Sequence, residues 1–165
     1  MQKPPRTAAL PQPDRIPDKE KDAAMGAYLM MFASWALGIP LPFIGLIASV
    51  IYYFVNRASK PFTRFHALQA LLMHIPLSIV NAALAVWFFI ALSSPKLLNA
   101  VLAAGAVVIG VLNIIYVIVS IVAARYAKTG RLIYFPVIGR TAFRYAFMKK
   151  TAAVGARMNM PPDGL

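Results

Sequence analysis

The stretch from Val55 to Pro76, VNRASKPFTRFHALQALLMHIP, carries a basic polar turn directly into an apolar helix that keeps polar groups along one side. Pro61 closes the turn that holds Asn56, Arg57 and Lys60. Nothing from Thr63 to Pro76 forbids a helix, so the spacing predicts one starting close behind Pro61. Along it His66, Gln69 or Ala70, His74, Ser78 and Asn81 recur at the helical period and form one polar stripe. The remaining faces are Leu, Ile, Val and Phe.

Two long apolar segments follow from this helix. Ala67 to Leu92 and Leu97 to Ala124 are each long enough to cross a hydrocarbon core of about 30 Å at about 1.5 Å per residue. The short link Ser93-Ser94-Pro95-Lys96 predicts that they pair as an antiparallel hairpin. Counting outward from that link puts His74 about level with Tyr116, and Ser78 about level with Asn113, to within roughly one helical turn. Ala106, Gly110, Asn113 and Val117 make a narrow face that is expected to receive the polar stripe.

On the N-terminal side, Ala23 to Val55 is apolar but interrupted by Gly38-Ile39-Pro40-Leu41-Pro42. One reading is a single kinked helix. The other is a hairpin of two short helices, Met25 to Leu37 and Phe43 to Val55, each roughly 18 to 20 Å long. Charge favours the hairpin. Arg57, Lys60 and Arg64 lie in one loop and Arg125, Lys128, Arg131, Arg140, Arg144, Lys149 and Lys150 near the C-terminus, whereas the Ser93–Lys96 link has only Lys96. Cations collect on the cytoplasmic side, so the N-terminal tail, itself basic, reaches that side only if the chain passes twice before Asn56.

The composition agrees with a membrane setting. The chain has 165 residues, 60% of them apolar, a mean hydropathy of +0.67 and a net charge of +12. Its cations flank apolar segments, which suits a membrane surface, anionic lipids above all, and argues against nucleic acid as a partner. There is no cysteine, so disulfides and thiolate chemistry are excluded. All five acidic residues, Asp14, Asp18, Glu20, Asp22 and Asp163, lie toward the ends, and 23–162 contains none. Carboxylate acid–base pairs, acidic Mg²⁺ or Ca²⁺ sites and acidic proton relays therefore have no residues within the apolar region. No catalytic residue, cofactor or metal site is expected.

The run Phe62-Thr63-Arg64-Phe65-His66-Ala67-Leu68-Gln69-Ala70-Leu71-Leu72-Met73-His74-Ile75 resembles the signature of Tic20-like membrane proteins, with Arg64, Phe65, Gln69, Ala70 and Leu72 matching. Asn56-Arg57 stands as a reversed dipeptide, and His66 and His74 replace Asn and Asp. The resemblance implies four membrane helices and a noncatalytic part in a protein-translocation or membrane-assembly complex, as a bacterial inner-membrane protein with both termini cytoplasmic.

The expected architecture is an all-α membrane bundle of four helical segments with a C-terminal amphipathic helix. Its parts are a disordered Pro-rich tail (1–24), a transmembrane domain (25–127), a basic interfacial segment (128–150) whose Phe side chains insert into the interface, and a second disordered tail (151–165). Arg57, Lys60, Arg64, His66 and Gln69 are the candidates for binding a partner or lipid. His74, Ser78, Asn81, Asn113 and Tyr116 either line a polar path for a channel or carrier or serve as hydrogen-bonding glue between helices. His74 is expected to be bonded to Tyr116 or a carbonyl. A membrane-protein partner or a second copy of the chain is the expected macromolecular contact.

Overall fold

A computed structural model of the chain describes residues 11–33, 42–93 and 100–148. Among these all the regular structure is helical. Helix α1 is Asp18–Leu29, continued by a 3₁₀ turn at Met30–Phe32. Helices α2, Pro42–Asn56, α3, Pro61–Ser93, and α4, Ala100–Lys128, follow, and α5, Ile138–Phe143, runs on into a wider π turn, Arg144–Met148. The expected turn at Gly38 to Leu41, the link Ser94 to Lys96 and the tail 151–165 lie outside the described residues.

The first departure from expectation is α1, which starts inside the stretch expected to be a disordered tail. Pro17 presets the backbone for helix entry, and Asp18 and Glu20 place negative charge where the helix dipole is positive. Burial then holds the helix. Ala24, Ala27 and Tyr28 pack, with Ile16, against Phe62, Ala67 and Ala70 of α3 and Ala123, Ala124 and Ala127 of α4. The alanines let the three backbones approach closely, and α1 fills the crevice between the ends of α3 and α4.

The return helix α2 runs antiparallel to α1. The Tyr52 hydroxyl donates to the Ala23 carbonyl at 2.6 Å, and a Cβ on Gly45 would lie 3.2 Å from the Met31 carbonyl and 3.1 Å from His74 Nε2. The described parts of α1 and α2 therefore reach along α3 to about the level of His74.

Helices α3 and α4 are long and apolar enough to cross a membrane. Among the described residues, beyond His74 they have little but each other for company. Trp87, Phe88, Phe89, Ile90, Val101, Val107, Val108 and Val111 are all exposed. Core helices of a soluble protein would be covered; only 11% of the most apolar window of each is buried. Pro76 sits within α3 without ending it, and its missing N–H leaves the Leu72 carbonyl without its helical donor.

At its far end α4 stops in a glycine-terminated cap. Gly130 has φ +75, the Arg131 N–H bonds the Tyr126 carbonyl and the Gly130 N–H the Ala127 carbonyl. The chain then turns back across α3 as the irregular segment 131–135, whose Ile133 carbonyl meets Gln69. The C-terminal helix differs from expectation in its facing. Phe143 and Phe147 stack on each other and pack toward Phe65 of α3, beside the buried Ala142 and Ala146, so these rings serve the protein core.

Candidate functional site

The polar stripe of α3 is a seam of hydrogen bonds between helices. At its base Gln69 Nε2 donates both to the Tyr28 hydroxyl of α1, at 2.9 Å, and to the Ile133 carbonyl, at 3.0 Å. With its oxygen so engaged, Tyr28 donates its proton to His66 Nδ1 at 3.0 Å. That assigns the His66 proton to Nε2, whose polar neighbour is the Arg131 backbone, without a fully formed hydrogen bond. His66 and Gln69 are fully buried, and Phe62, Phe65 and Tyr28 present their rings edge-on to the imidazole.

One level deeper, His74 Nδ1 lies 2.9 Å from the Tyr116 hydroxyl, which also meets Ser120. Deeper still, Asn81 and Asn113 exchange amide hydrogen bonds of 3.0 and 2.7 Å, and Asn113 also donates to the Ile109 carbonyl. Asn113 thus pairs about one helical turn beyond Ser78, within the turn's latitude of the expected level. Ser78 itself is buried.

The face of α4 that receives the stripe is only in part the one expected. Gly110 has nothing within 4 Å of a would-be Cβ, and Ala106 is exposed. The seam uses Asn113 of that face together with Tyr116 and Ser120, leading down to the small residues Ala123, Ala124 and Ala127. Asn113 thus belongs to both the expected face and the seam, whereas Ala106 and Gly110 turn away from it, because the hydrogen bonds of Asn81 and His74 set the rotation of α4.

The basic candidates divide by what holds them. Lys60 pairs with Glu20 of α1 and Lys128 with Asp22. Arg64 donates to the Ala146 carbonyl, clamping the C-terminal turn to α3. Arg57 lies over the Phe54 ring at 5.3 Å. Lys60 and Arg64 are therefore engaged within the chain, and two carboxylates from the supposed tail neutralise the lysines at the base. The signal for this was present in the sequence: Pro17 followed by Asp18, Glu20 and Asp22 reads as a helix start.

An all-helical chain with two bare apolar helices and a polar seam sealed between them has the features of a membrane protein. Residues 19–142 match the model of the MamF/MmsF family, the magnetosome magnetite crystal formation proteins, and the chain belongs to that family. No curated protein and no solved structure matches it. The match overturns the Tic20-like resemblance and the protein-transport role drawn from it. The shared wording was one short run, and its residues meet packing needs at a helix base: Arg64 holds a carbonyl, Phe65 an aromatic cluster and Gln69 a tyrosine and a carbonyl.

Proposed function

We propose that the chain is a noncatalytic integral membrane protein of the magnetosome that takes part in magnetite crystal formation, acting through its membrane and protein contacts. The family match over 19–142 carries this reading. The chemistry supports a role without an iron-holding carboxylate site. The sequence between 23 and 162 has no acidic residue, and Glu20 and Asp22 are engaged with lysines. Among the described residues no three His, Cys, Asp or Glu side chains gather as metal ligands.

In this reading α3 and α4 cross the bilayer, and α1 and α2 form a hairpin packed against their basic ends. The two ion pairs support a common side for the start of α1, the 56–60 connection and the end of α4, and the excess of cations there favours the cytoplasm. The test is deletion in a magnetite-forming cell with complementation by a tagged chain. Altered crystal size or number, and recovery of the tag with isolated magnetosomes, are expected. Unchanged crystals with the tag absent from magnetosomes would overturn the reading.

A further inference from the structure

We propose that the outward face of the C-terminal helix, formed by Val137, Arg140, Thr141 and Arg144, binds anionic phospholipid at the bilayer surface beside the base of the bundle. The proposal rests on the membrane reading above.

Helix α5 and the turn after it present two unlike faces. Gly139, Ala142 and Ala146 are buried toward α3, and a Cβ on Gly139 would lie 3.0 Å from the Tyr134 Cα and 3.2 Å from Gln69 Oε1. Opposite them Val137, Arg140, Thr141 and Arg144 are exposed at spacings of three and four. The segment is thus fixed to the seam from behind and free in front.

Charge selects the occupant's sign. Lys21, Lys60 and Lys128 have carboxylate partners on α1, and Arg64 holds a carbonyl. Among the described residues no carboxylate pairs with Arg140 or Arg144, and the sequence between 23 and 162 offers none. One turn apart, their planar forks suit a phosphate, which guanidinium groups bind through paired hydrogen bonds.

The backbone selects a lipid over a soluble anion. Val137 has φ 64 and ψ −58, and the Ile138 N–H closes a tight turn onto the Pro136 carbonyl at 2.7 Å. A branched residue in such a turn is strained, and glycine would not be. Yet Val137 is 79% exposed, next to Tyr134 at 50%. A strained conformation that holds an apolar side chain outward in water gains nothing. Beside two arginines at a bilayer surface it gains burial among acyl chains while the guanidinium groups meet headgroups.

The test uses the full chain purified in mild detergent. Native mass spectrometry with phosphatidylglycerol, phosphatidylcholine and inorganic phosphate reports which is retained. The parent is expected to keep phosphatidylglycerol, with phosphate failing to displace it. Arg140→Gln with Arg144→Gln should lose about tenfold or more of that retention, as expected for lost charged hydrogen bonds, while Lys19→Gln, at an exposed cation on α1, keeps it. The chain has no cysteine, so a dye on Val137→Cys gives a second readout. Its emission should shift to the blue in phosphatidylglycerol vesicles. Unchanged lipid retention in the double variant, displacement by phosphate, or a dye that stays in water in every vesicle overturns the proposal. The last result in vesicles that do incorporate the chain leaves the membrane reading intact, whereas failure to enter vesicles of any composition sinks both.

Discussion

The Tyr28 hydroxyl stands 3.0 Å from His66 Nδ1 and 2.9 Å from Gln69 Nε2, so one phenol joins α1 to two successive turns of α3. It accepts from one neighbour and donates to the other, and this directionality sets the imidazole tautomer. The helix, whose first two turns looked like a tail in the sequence, is thereby keyed to the most enclosed part of the protein.

Tyr28→Phe should accordingly destabilise the chain by about 1 to 3 kcal/mol, since a buried acceptor and a buried donor each lose a partner. Thermal unfolding in detergent measures it. A cycle with His66→Phe should show coupling between the two sites, and strictly additive losses would mean that the bond contributes nothing.

The glycines make a second, opposed pair of predictions. Gly139→Ala should lower the melting temperature, because its new Cβ meets the Tyr134 backbone at 3.0 Å. Gly110→Leu should be expressed and as stable as the parent, since that position opens onto empty space. A Gly110→Leu chain that fails to accumulate would show that another molecule packs on this face.

The ion pairs offer a test by exchange. Glu20→Lys should weaken α1 docking, and Lys60→Glu in the same chain should restore it. An exposed pair is worth about 0 to 1 kcal/mol, so the readout is proteolysis near Pro17 at low salt, where the contribution is largest. Failure of the second change to restore protection would mean that apolar burial alone positions the helix.

Sidedness follows from the two ends of α3. Single cysteines at Lys19 and Ser93, both exposed, should be labelled from opposite sides of sealed vesicles. Labelling of both from one side would place α3 along the membrane surface.

Much of this arrangement was legible in the residues. The start of the long helix behind Pro61 and the inward course of His66, Gln69, His74 and Ser78 follow from spacing, because the helical period leaves those groups one common direction. Two things were not legible. The rotation of α4 depends on which polar atoms find each other across the interface, and Asn81 reaching Asn113 decided it. The fate of the cations depended on where Glu20 and Asp22 came to rest, which is a matter of tertiary placement that a count of charges does not contain.

The described parts of α1 and α2 accompany α3 only to the level of His74, and past that point α3 and α4 continue as a bare pair. Seated in a bilayer, such an outline displaces four helices' worth of lipid in one leaflet and two in the other. Leaflets of equal area fit that shape poorly in a flat sheet and better in a bent one, with the crowded end on the outer side of the bend. In the proposed bilayer setting, a membrane that bulges toward the crowded side relieves this mismatch, so the taper would favour curvature that no single side chain encodes.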